Sequence, residues 1–193
     1  MTEIKKYIKF LIFEFIDFFV KPSNNLKEKS ILIIRLDAIG DYVLFRNFIK
    51  EIKNSNKYRG YSITLLGNIV WKEISEELDS QYVDNFMWVD RNKFDKKFIY
   101  RYKKLQAIAS NSYEIIISPV YSREFYTIDK IVKIINAKEK IGSKGDCSVI
   151  EKWQKKISDR YYTKLIDAKK KTLLEFYRNK EFFENLLDSK LYI

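Results

Sequence analysis

The chain has 193 residues, of which 46% are hydrophobic and 16% aromatic, so it excludes a disordered protein and can form one domain with a substantial core. Its single cysteine, Cys147, excludes an internal disulfide and indicates a reducing compartment. Histidine is absent, which excludes the usual Cys/His zinc sites and catalysis by Ser-His-Asp or Cys-His arrangements. Any general base must therefore be Asp, Glu, Lys, Tyr or Cys.

The formal net charge of +11 would suit an anionic partner, and nucleic acid is one such partner. The lysines, however, are spread along the whole chain and alternate with Asp and Glu on the predicted helices. No recognition-helix, zinc-finger or RNA-binding signature accompanies them. The sequence therefore predicts that the protein does not bind nucleic acid.

Residues 4–20 have the spacing of an amphipathic helix, and this helix and the polar linker after it make up a predicted N-terminal segment, residues 1–24. The helix carries one broad apolar stripe, formed by Ile4, Tyr7, Ile8, Leu11, Phe15, Phe18 and Phe19. Lys9, Glu14 and Asp17 interrupt the segment, so it is not expected to span a bilayer. Two interpretations of the stripe stay open: it packs on its own domain or on a missing partner domain, or it makes peripheral contact with a membrane.

A buried strand, a glycine turn and a helix start follow one another in residues 31–52. Further strands are predicted at 62–66, 86–89, 113–118 and 139–141, and further helices at 70–78, 93–109, 125–135 and 169–187. Strands that alternate with helices predict an α/β fold, a Rossmann-like parallel sheet with helices on both faces. Ligands bind at the carboxyl ends of such strands, which is where Asp41 is expected to lie.

The segment Arg35-Leu-Asp-Ala-Ile-Gly-Asp-Tyr-Val-Leu resembles the amino-terminal signature of the heptosyltransferase family, glycosyltransferase family 9. The resemblance implies a two-domain enzyme of the GT-B fold, in which residues 27–168 would be the acceptor-side domain. Residues 169–193 would then be a C-terminal helix leading toward a donor-binding domain. The implied reaction is inverting transfer of a sugar, typically a heptose, from a nucleotide-sugar such as an ADP-heptose to a hydroxyl of a lipopolysaccharide-type glycolipid. No metal or other cofactor is implied.

Asp41 follows Gly40 in the turn and has two interpretations. From spacing alone, it is a helix cap or first-turn carboxylate that stabilises the helix by about 0.5–2 kcal/mol. The resemblance instead implies that Asp41 is the catalytic base that accepts the proton of the acceptor hydroxyl.

The residues beside Asp41 are expected to shape the same turn. Gly40 would supply a backbone conformation, or a close approach, that a Cβ atom would block. Asp37 is predicted to cap the loop, with acceptor contact as the alternative. Arg35 lies within the strand, where an arginine needs a carboxylate partner, so a structural salt bridge is predicted.

A second cluster of polar residues, Ser118 to Glu124, follows the strand predicted at 113–118. Its position matches the acceptor-side loops of the family, so Tyr121, Ser122 and Arg123 are candidate acceptor-binding residues. Arg123 would pair with a phosphate or carboxylate, and Ser122 would cap the next helix. The alternative is a capping box with a solvated arginine.

The chain lacks both nucleotide-binding fingerprints, the Gly-x-Gly-x-x-Gly turn and the phosphate-binding loop. The resemblance implies a donor-binding domain that residues 1–193 do not include, so we expect the chain to be inactive alone and to need a complementing donor-binding domain. The alternative function is a noncatalytic module that binds glycolipid or protein through its N-terminal helix. The expected location is the cytoplasm, with peripheral contact to the inner face of the cytoplasmic membrane through residues 4–20.

Overall fold

The computed structural model of the protein describes residues 3–169, 171 and 173–193, and a six-stranded sheet lies at its centre. The strands are β1 (Ser30–Arg35), β2 (Ser62–Asn68), β3 (Asn85–Val89), β4 (Tyr113–Ser118), β5 (Ala137–Ser143) and β6 (Lys164–Ile166). They lie in the order β3-β2-β1-β4-β5-β6, and every neighbouring pair is parallel. β1 is therefore central, with β2 on one side and β4 on the other.

Nine α-helices are found in the described residues. They are α1 (Glu3–Phe18), α2 (Ile39–Phe45), α3 (Asn47–Asn54), α4 (Lys72–Asp79), α5 (Arg91–Lys96), α6 (Phe98–Ala109), α7 (Ile128–Ile134), α8 (Lys152–Ser158) and α9 (Glu175–Leu187). Two short 3₁₀ segments, Ile69–Trp71 and Asp159–Tyr161, precede α4 and follow α8.

The central strand is buried on both faces because its side chains alternate between two hydrophobic cores. Ile31 and Ile33 face a core to which α2, α3 and α9 contribute. Leu32 and Ile34 face the opposite core, to which α5, α6 and α7 contribute. The predicted fold class, a Rossmann-like parallel sheet with helices on both faces, is confirmed.

Several predicted boundaries change in the structure. The helix predicted at 93–109 is two helices, because Lys97 between them has an extended backbone conformation. The helix predicted at 125–135 begins only at Ile128. β6 and α8 were not predicted from the sequence, and both are short elements of three and seven residues.

The C-terminal helix α9 packs into the core of the sheet. The prediction placed it over residues 169–187, a range that includes Lys170 and Thr172, which lie outside the described residues; the helix itself begins at Glu175. The Phe183 ring stacks on Phe48, with ring centroids 5.2 Å apart. Residues 27–168 and this helix, predicted as separate segments, therefore share one core.

The N-terminal helix α1 packs on the domain with a face that the sequence pattern did not select. Most of its described contacts come from Phe10, Phe13, Glu14 and Asp17, which recur at helical spacing. Of the predicted apolar stripe, Tyr7 stacks on Trp153, whereas the other described members, Ile8, Leu11, Phe15, Phe18 and Phe19, are exposed. The interpretation that this stripe packs on its own domain is therefore wrong for every described member except Tyr7. The side chain of Ile4 lies outside the described side chains. Among the described residues, no helix has the length and apolar character needed to cross a bilayer.

Candidate functional site

The strand order places a crevice at the carboxyl ends of β1 and β4. The chain leaves β1 toward the side of β2, whereas β4 lies on the opposite side of β1, so the strand order reverses here. In open parallel sheets, ligands bind at this point of reversal. The two loops at the crevice are residues 36–38 after β1 and residues 119–127 after β4, and they contain all the predicted site residues except Gly40 and Asp41, which begin α2.

Asp41 lies in the first turn of α2 and is half-buried. Its position is not that of a cap: the N-cap is Ala38, whose backbone oxygen accepts a hydrogen bond from the Tyr42 amide at 3.1 Å. Within the described part of the chain, the Asp41 carboxylate has no hydrogen-bond donor or ion-pair partner. A carboxylate in the first turn is favoured by the helix dipole and here keeps its oxygens available for a ligand.

Asp37 pairs with the buried Arg35 at the end of β1. The Arg35 Nε and Asp37 Oδ2 atoms lie 3.0 Å apart, while Asp37 Oδ1 is buried without a hydrogen-bond partner among the described residues. Burial raises the pKa of Asp37, the Arg35 charge opposes that rise, and the nearby Asp41 and Glu175 charges add to it. Asp37 is thus a second carboxylate beside Asp41, with its charge tied to Arg35.

The partners of Arg35 confirm the predicted salt bridge and add two residues that the sequence did not reveal. Glu175 Oε1 lies 2.6 Å from Arg35 Nη2, and Asn179 Oδ1 accepts a hydrogen bond from Nη1 at 3.1 Å. Both belong to α9, about 140 residues further along the chain. Only the tertiary fold brings this helix to the crevice, so no local sequence signal could identify them.

The loop after β1 is fixed by Asn68, the last residue of β2, and by Trp71, which lies just after that strand. The Asp37 carbonyl accepts hydrogen bonds from Asn68 Nδ2 at 3.2 Å and from Trp71 Nε1 at 3.1 Å. The Trp71 ring stacks on Tyr42, with ring centroids 3.9 Å apart. A Cβ atom at Gly67 would lie 2.2 Å from the Trp71 ring, so this tryptophan requires the glycine beneath it. The loop that carries Asp37 is therefore fixed by packing.

An ion pair of Arg91 and Glu124 borders the crevice on its other side. Arg91 Nη1 also donates a hydrogen bond to the Leu36 carbonyl at 3.3 Å, which ties this pair to the loop after β1. Burial raises the pKa of Glu124, against the lowering effect of Arg91. Neither residue was singled out as a partner from the sequence, because the contact joins α5 to the loop after β4.

Tyr121 and Ser122 occupy the loop after β4, where the sequence places them. The Arg178 guanidinium lies over the Tyr121 ring at 3.9 Å. The Ser122 hydroxyl is 3.0 Å from the Ser148 hydroxyl. Ser122 therefore does not cap the next helix, as predicted, because α7 begins six residues later, at Ile128, with Thr127 at its N-cap.

Arg123 is enclosed by the protein, with only 1% of its area exposed. Its guanidinium pairs with Asp159, lies 4.0 Å from Asp129 and covers the Tyr162 ring at 4.8 Å. The interpretation of a solvated arginine is wrong. The predicted acceptor contact is also corrected, because these internal carboxylates already neutralise the charge that was assigned to an acceptor phosphate.

Gly40 is helical and exposed, and a Cβ atom there would meet no atom of the described chain within 4 Å. The prediction that the backbone conformation requires glycine is therefore wrong. The other reason predicted for a glycine at this position, close approach by a bound molecule, stays a prediction.

Solved structures with this fold include two of E. coli heptosyltransferase WaaC, one with ADP-2-deoxy-2-fluoro heptose (TM-score 0.62, 14% identity) and one with ADP (TM-score 0.63, 13% identity). A third is a glycosyl transferase of family 9 from Veillonella parvula DSM 2008 (TM-score 0.60, 17% identity). Each comparison covers 83% of this chain. The fold is similar to part of a heptosyltransferase. The similarity confirms, at the level of the fold, the resemblance carried by residues 35–44.

The chain spans 49%, 48% and 41% of the lengths of these three structures, which is less than half of each. Comparison of its sequence with protein-family models and with curated proteins gave no match.

Proposed function

We propose that this chain is the acceptor-binding half of a glycosyltransferase and that Asp41 is its general base. The observation that carries the proposal is the Asp41 carboxylate, which is half-buried and has no partner in the described chain. It stands at the point of strand reversal in a fold similar to that of heptosyltransferases. Gly40, Asp37, Tyr121 and Ser122 are proposed to contact the acceptor there.

In the proposed reaction, an acceptor hydroxyl attacks the anomeric carbon of a nucleotide-sugar, and the bond from that carbon to the diphosphate breaks. Asp41 takes the hydroxyl proton as the new glycosidic bond forms, so the nucleoside diphosphate leaves with its electron pair. Attack from the face opposite the leaving group inverts the anomeric centre. Asp37, whose charge is tied to Arg35, would orient the acceptor beside the base.

The donor is proposed to be a nucleotide-sugar of the ADP-heptose type, held mainly by a complementing donor-binding unit. Two of the similar structures were solved with ADP or an ADP-fluoroheptose. The crevice arginines of this chain are already paired, Arg35 with Asp37 and Glu175 and Arg91 with Glu124. A departing diphosphate needs cations that are not already neutralised. We therefore expect residues 1–193 to transfer no sugar alone.

The acceptor is proposed to be a lipopolysaccharide-type glycolipid or its saccharide. A cytoplasmic location fits the one cysteine of the chain, Cys147, which is exposed and free.

A noncatalytic saccharide-binding module is the second candidate function, and the paired state of Arg35 and Arg91 favours it.

The test combines the chain with a separately expressed donor-binding domain from a family 9 enzyme and measures ADP release from ADP-sugars. We expect ADP release only when the chain, the donor-binding domain and a lipopolysaccharide-core acceptor are all present. Saccharide binding without ADP release under any combination would favour the noncatalytic module. Absence of both binding and release would overturn the proposal.

Replacing Gly40 with alanine should separate folding from function at this site. Because Gly40 is helical with open space around it, Gly40→Ala should raise the free energy of unfolding by up to about 1 kcal/mol. The new methyl group should nevertheless weaken acceptor binding, because it occupies space assigned to the acceptor. Urea denaturation and acceptor titration measure the two effects. Increased stability with unchanged acceptor affinity would remove Gly40 from the proposed site.

A further inference from the structure

One face of α1 is apolar and exposed to solvent. It consists of Tyr7, Ile8, Leu11, Ile12, Phe15 and Phe18, with Phe19 directly after the helix, and no charged residue lies among them. Tyr7, at the edge of this face, also stacks on Trp153, with ring centroids 5.5 Å apart. Phe15 is 68% exposed and Phe18 81%. We refer to these seven residues as the outer face of α1.

Charged residues on the inner side of α1 fix the orientation of the helix. The outer face is therefore exposed because the inner side has specific ion-pair partners. Asp17 accepts hydrogen bonds from Arg101 Nε at 3.0 Å and Nη2 at 2.9 Å, and the Arg101 side chain is fully buried. Glu14 pairs with Lys130 and, at 2.8 Å, with Lys133. Rotating α1 to bury its outer face would break these pairs and expose Phe13, which is 2% exposed.

The outer face forms a ridge between two grooves. A cavity of about 530 Å³ runs along one side of α1, with Phe15, Phe18, Lys133 and Ile134 among its lining residues. Another of about 300 Å³ runs along the other side, where Ile8 and Ile12 meet Lys96 and Phe98 of the next helices. Phe98 and its exposed neighbour Ile99 extend the apolar surface beyond α1.

The exposed charges around this ridge are mostly positive. Asp95 also lines the groove beside Ile8 and Ile12, but it lies 4.0 Å from Arg91 and accepts a hydrogen bond from the Thr127 hydroxyl. Lys96 and Lys97 are exposed at the end where Ile8 and Ile12 lie, and Lys133 is partly exposed beside Phe15. The two carboxylates of α1 that lie near the ridge, Glu14 and Asp17, are turned inward and paired. An apolar ridge with lysines beside it is complementary to a surface that has anionic groups above an apolar interior.

We propose that the outer face of α1, extended by Phe98 and Ile99, inserts into the interface of an anionic lipid bilayer. Phenylalanine, leucine and isoleucine side chains would enter the boundary between headgroups and acyl chains, while the flanking lysines contact lipid phosphates. The proposal stands independently of the transfer reaction, because no residue of the crevice takes part in it. The first described turns of α1 do lie near the loop after β4, since Phe10 stacks on Phe125. Docking would thus place the bilayer close to the crevice side of the domain.

The experiment measures flotation of the whole chain with vesicles of phosphatidylcholine alone and of phosphatidylcholine and phosphatidylglycerol in about equal amounts. We expect binding to the mixed vesicles that weakens as salt is raised. The double variant Phe15→Glu/Phe18→Glu should bind more than about a hundredfold more weakly, because two charged groups replace inserted rings. Lys96→Gln/Lys97→Gln should weaken binding by roughly five- to twentyfold, and only to the anionic vesicles.

Two control variants test whether vesicle binding depends on apolar side chains of the outer face. Phe15→Leu/Phe18→Leu should retain binding, because it preserves apolar side chains on the outer face. Leu78→Glu changes an exposed apolar residue of α4, away from α1, and should also bind as the unmodified chain does. Since Phe15 and Phe18 are exposed, the glutamate variant is expected to unfold at the same urea concentration as the unmodified chain.

Equal vesicle binding by the unmodified chain and Phe15→Glu/Phe18→Glu would overturn the proposal, as would no binding to anionic vesicles. Sedimentation of the chain without lipid tests the competing occupant, a second copy of the chain. We expect a monomer. A dimer that Phe15→Glu/Phe18→Glu dissociates would assign the outer face to self-association and also overturn the proposal.

Discussion

Asp41→Asn is expected to slow sugar transfer by about 10²–10⁴-fold in the complemented enzyme, which is the usual contribution of a general base. The asparagine keeps the size and the helical position of the aspartate but cannot take the acceptor proton. Because the Asp41 side chain has no partner in the described chain, the substitution should leave the free energy of unfolding nearly unchanged. The measurement is ADP release at saturating donor, together with urea denaturation of the variant.

Asp37→Asn is the informative comparison, because Asp37 is the other carboxylate at this end of β1. Its raised pKa makes it a possible base, whereas its contact with Arg35 ties its charge to a structural role. We expect a smaller loss of transfer from Asp37→Asn than from Asp41→Asn. Some loss of stability should accompany it, since Arg35 would keep only Glu175 as a charged partner.

Asp167→Asn supplies the control for the chemical change itself. Asp167 is 84% exposed and, among the described residues, pairs with the exposed Lys144, so both transfer and stability should stay within error of the unmodified chain. If Asp37→Asn loses transfer and Asp41→Asn retains it, the base is Asp37. Retention of transfer by both variants would remove catalysis from this end of β1.

The crevice was predictable from sequence where its signal is local. The run from Ile31 to Leu44 encodes a buried strand, a turn and a helix start in consecutive residues, and the structure reproduces that order. The residues that complete the site are not local. Glu175 and Asn179 reach Arg35 from α9, and Arg91 reaches Glu124 from α5. The sequence spacing of these residues does not indicate that they are in contact.

Arg123 and α1 show why side-chain partners are harder to predict than elements. The sequence shows an arginine in a loop but not that Asp129, Asp159 and Tyr162 close around it. Likewise, helical periodicity reveals the apolar stripe of α1 but not which face has partners. The deciding residues were charged ones, Glu14 and Asp17, whose partners lie on α7 and α6. Periodicity rules count such residues as solvent-facing.

The pair of Asp17 and Arg101 should therefore dominate the stability of α1 on the domain. Arg101→Met is expected to lower the free energy of unfolding by about 3–5 kcal/mol, because it leaves the Asp17 carboxylate buried without its cation. Lys53→Met is the matched control: it breaks the partly exposed pair with Asp84 and should cost less than about 1 kcal/mol. Urea denaturation measures both values.

The double variant Asp17→Leu/Arg101→Met decides whether the loss comes from the uncompensated charge. Replacing a buried ion pair by apolar side chains is often neutral, so the double variant should regain most of the stability, to within about 1–2 kcal/mol of the unmodified chain. A double variant no more stable than Arg101→Met would mean that the lost packing of Arg101 against the Phe13 and Phe94 rings, and not the charge, causes the effect.

The pH dependence of the free energy of unfolding provides an independent test of the pair of Asp17 and Arg101, and the direction of the expected change is defined. Burial raises the pKa of Asp17 above its ordinary value of 3.8, and Arg101 is the main group that opposes the rise. A group with a raised pKa in the folded state favours folding below its unfolded pKa, and that contribution is lost as the pH rises through the folded-state pKa. Arg101→Met removes the opposing charge and widens the gap between the two pKa values. The destabilisation of Arg101→Met should therefore be smallest at about pH 4 and grow toward neutral pH, and Asp17→Leu/Arg101→Met should abolish this growth.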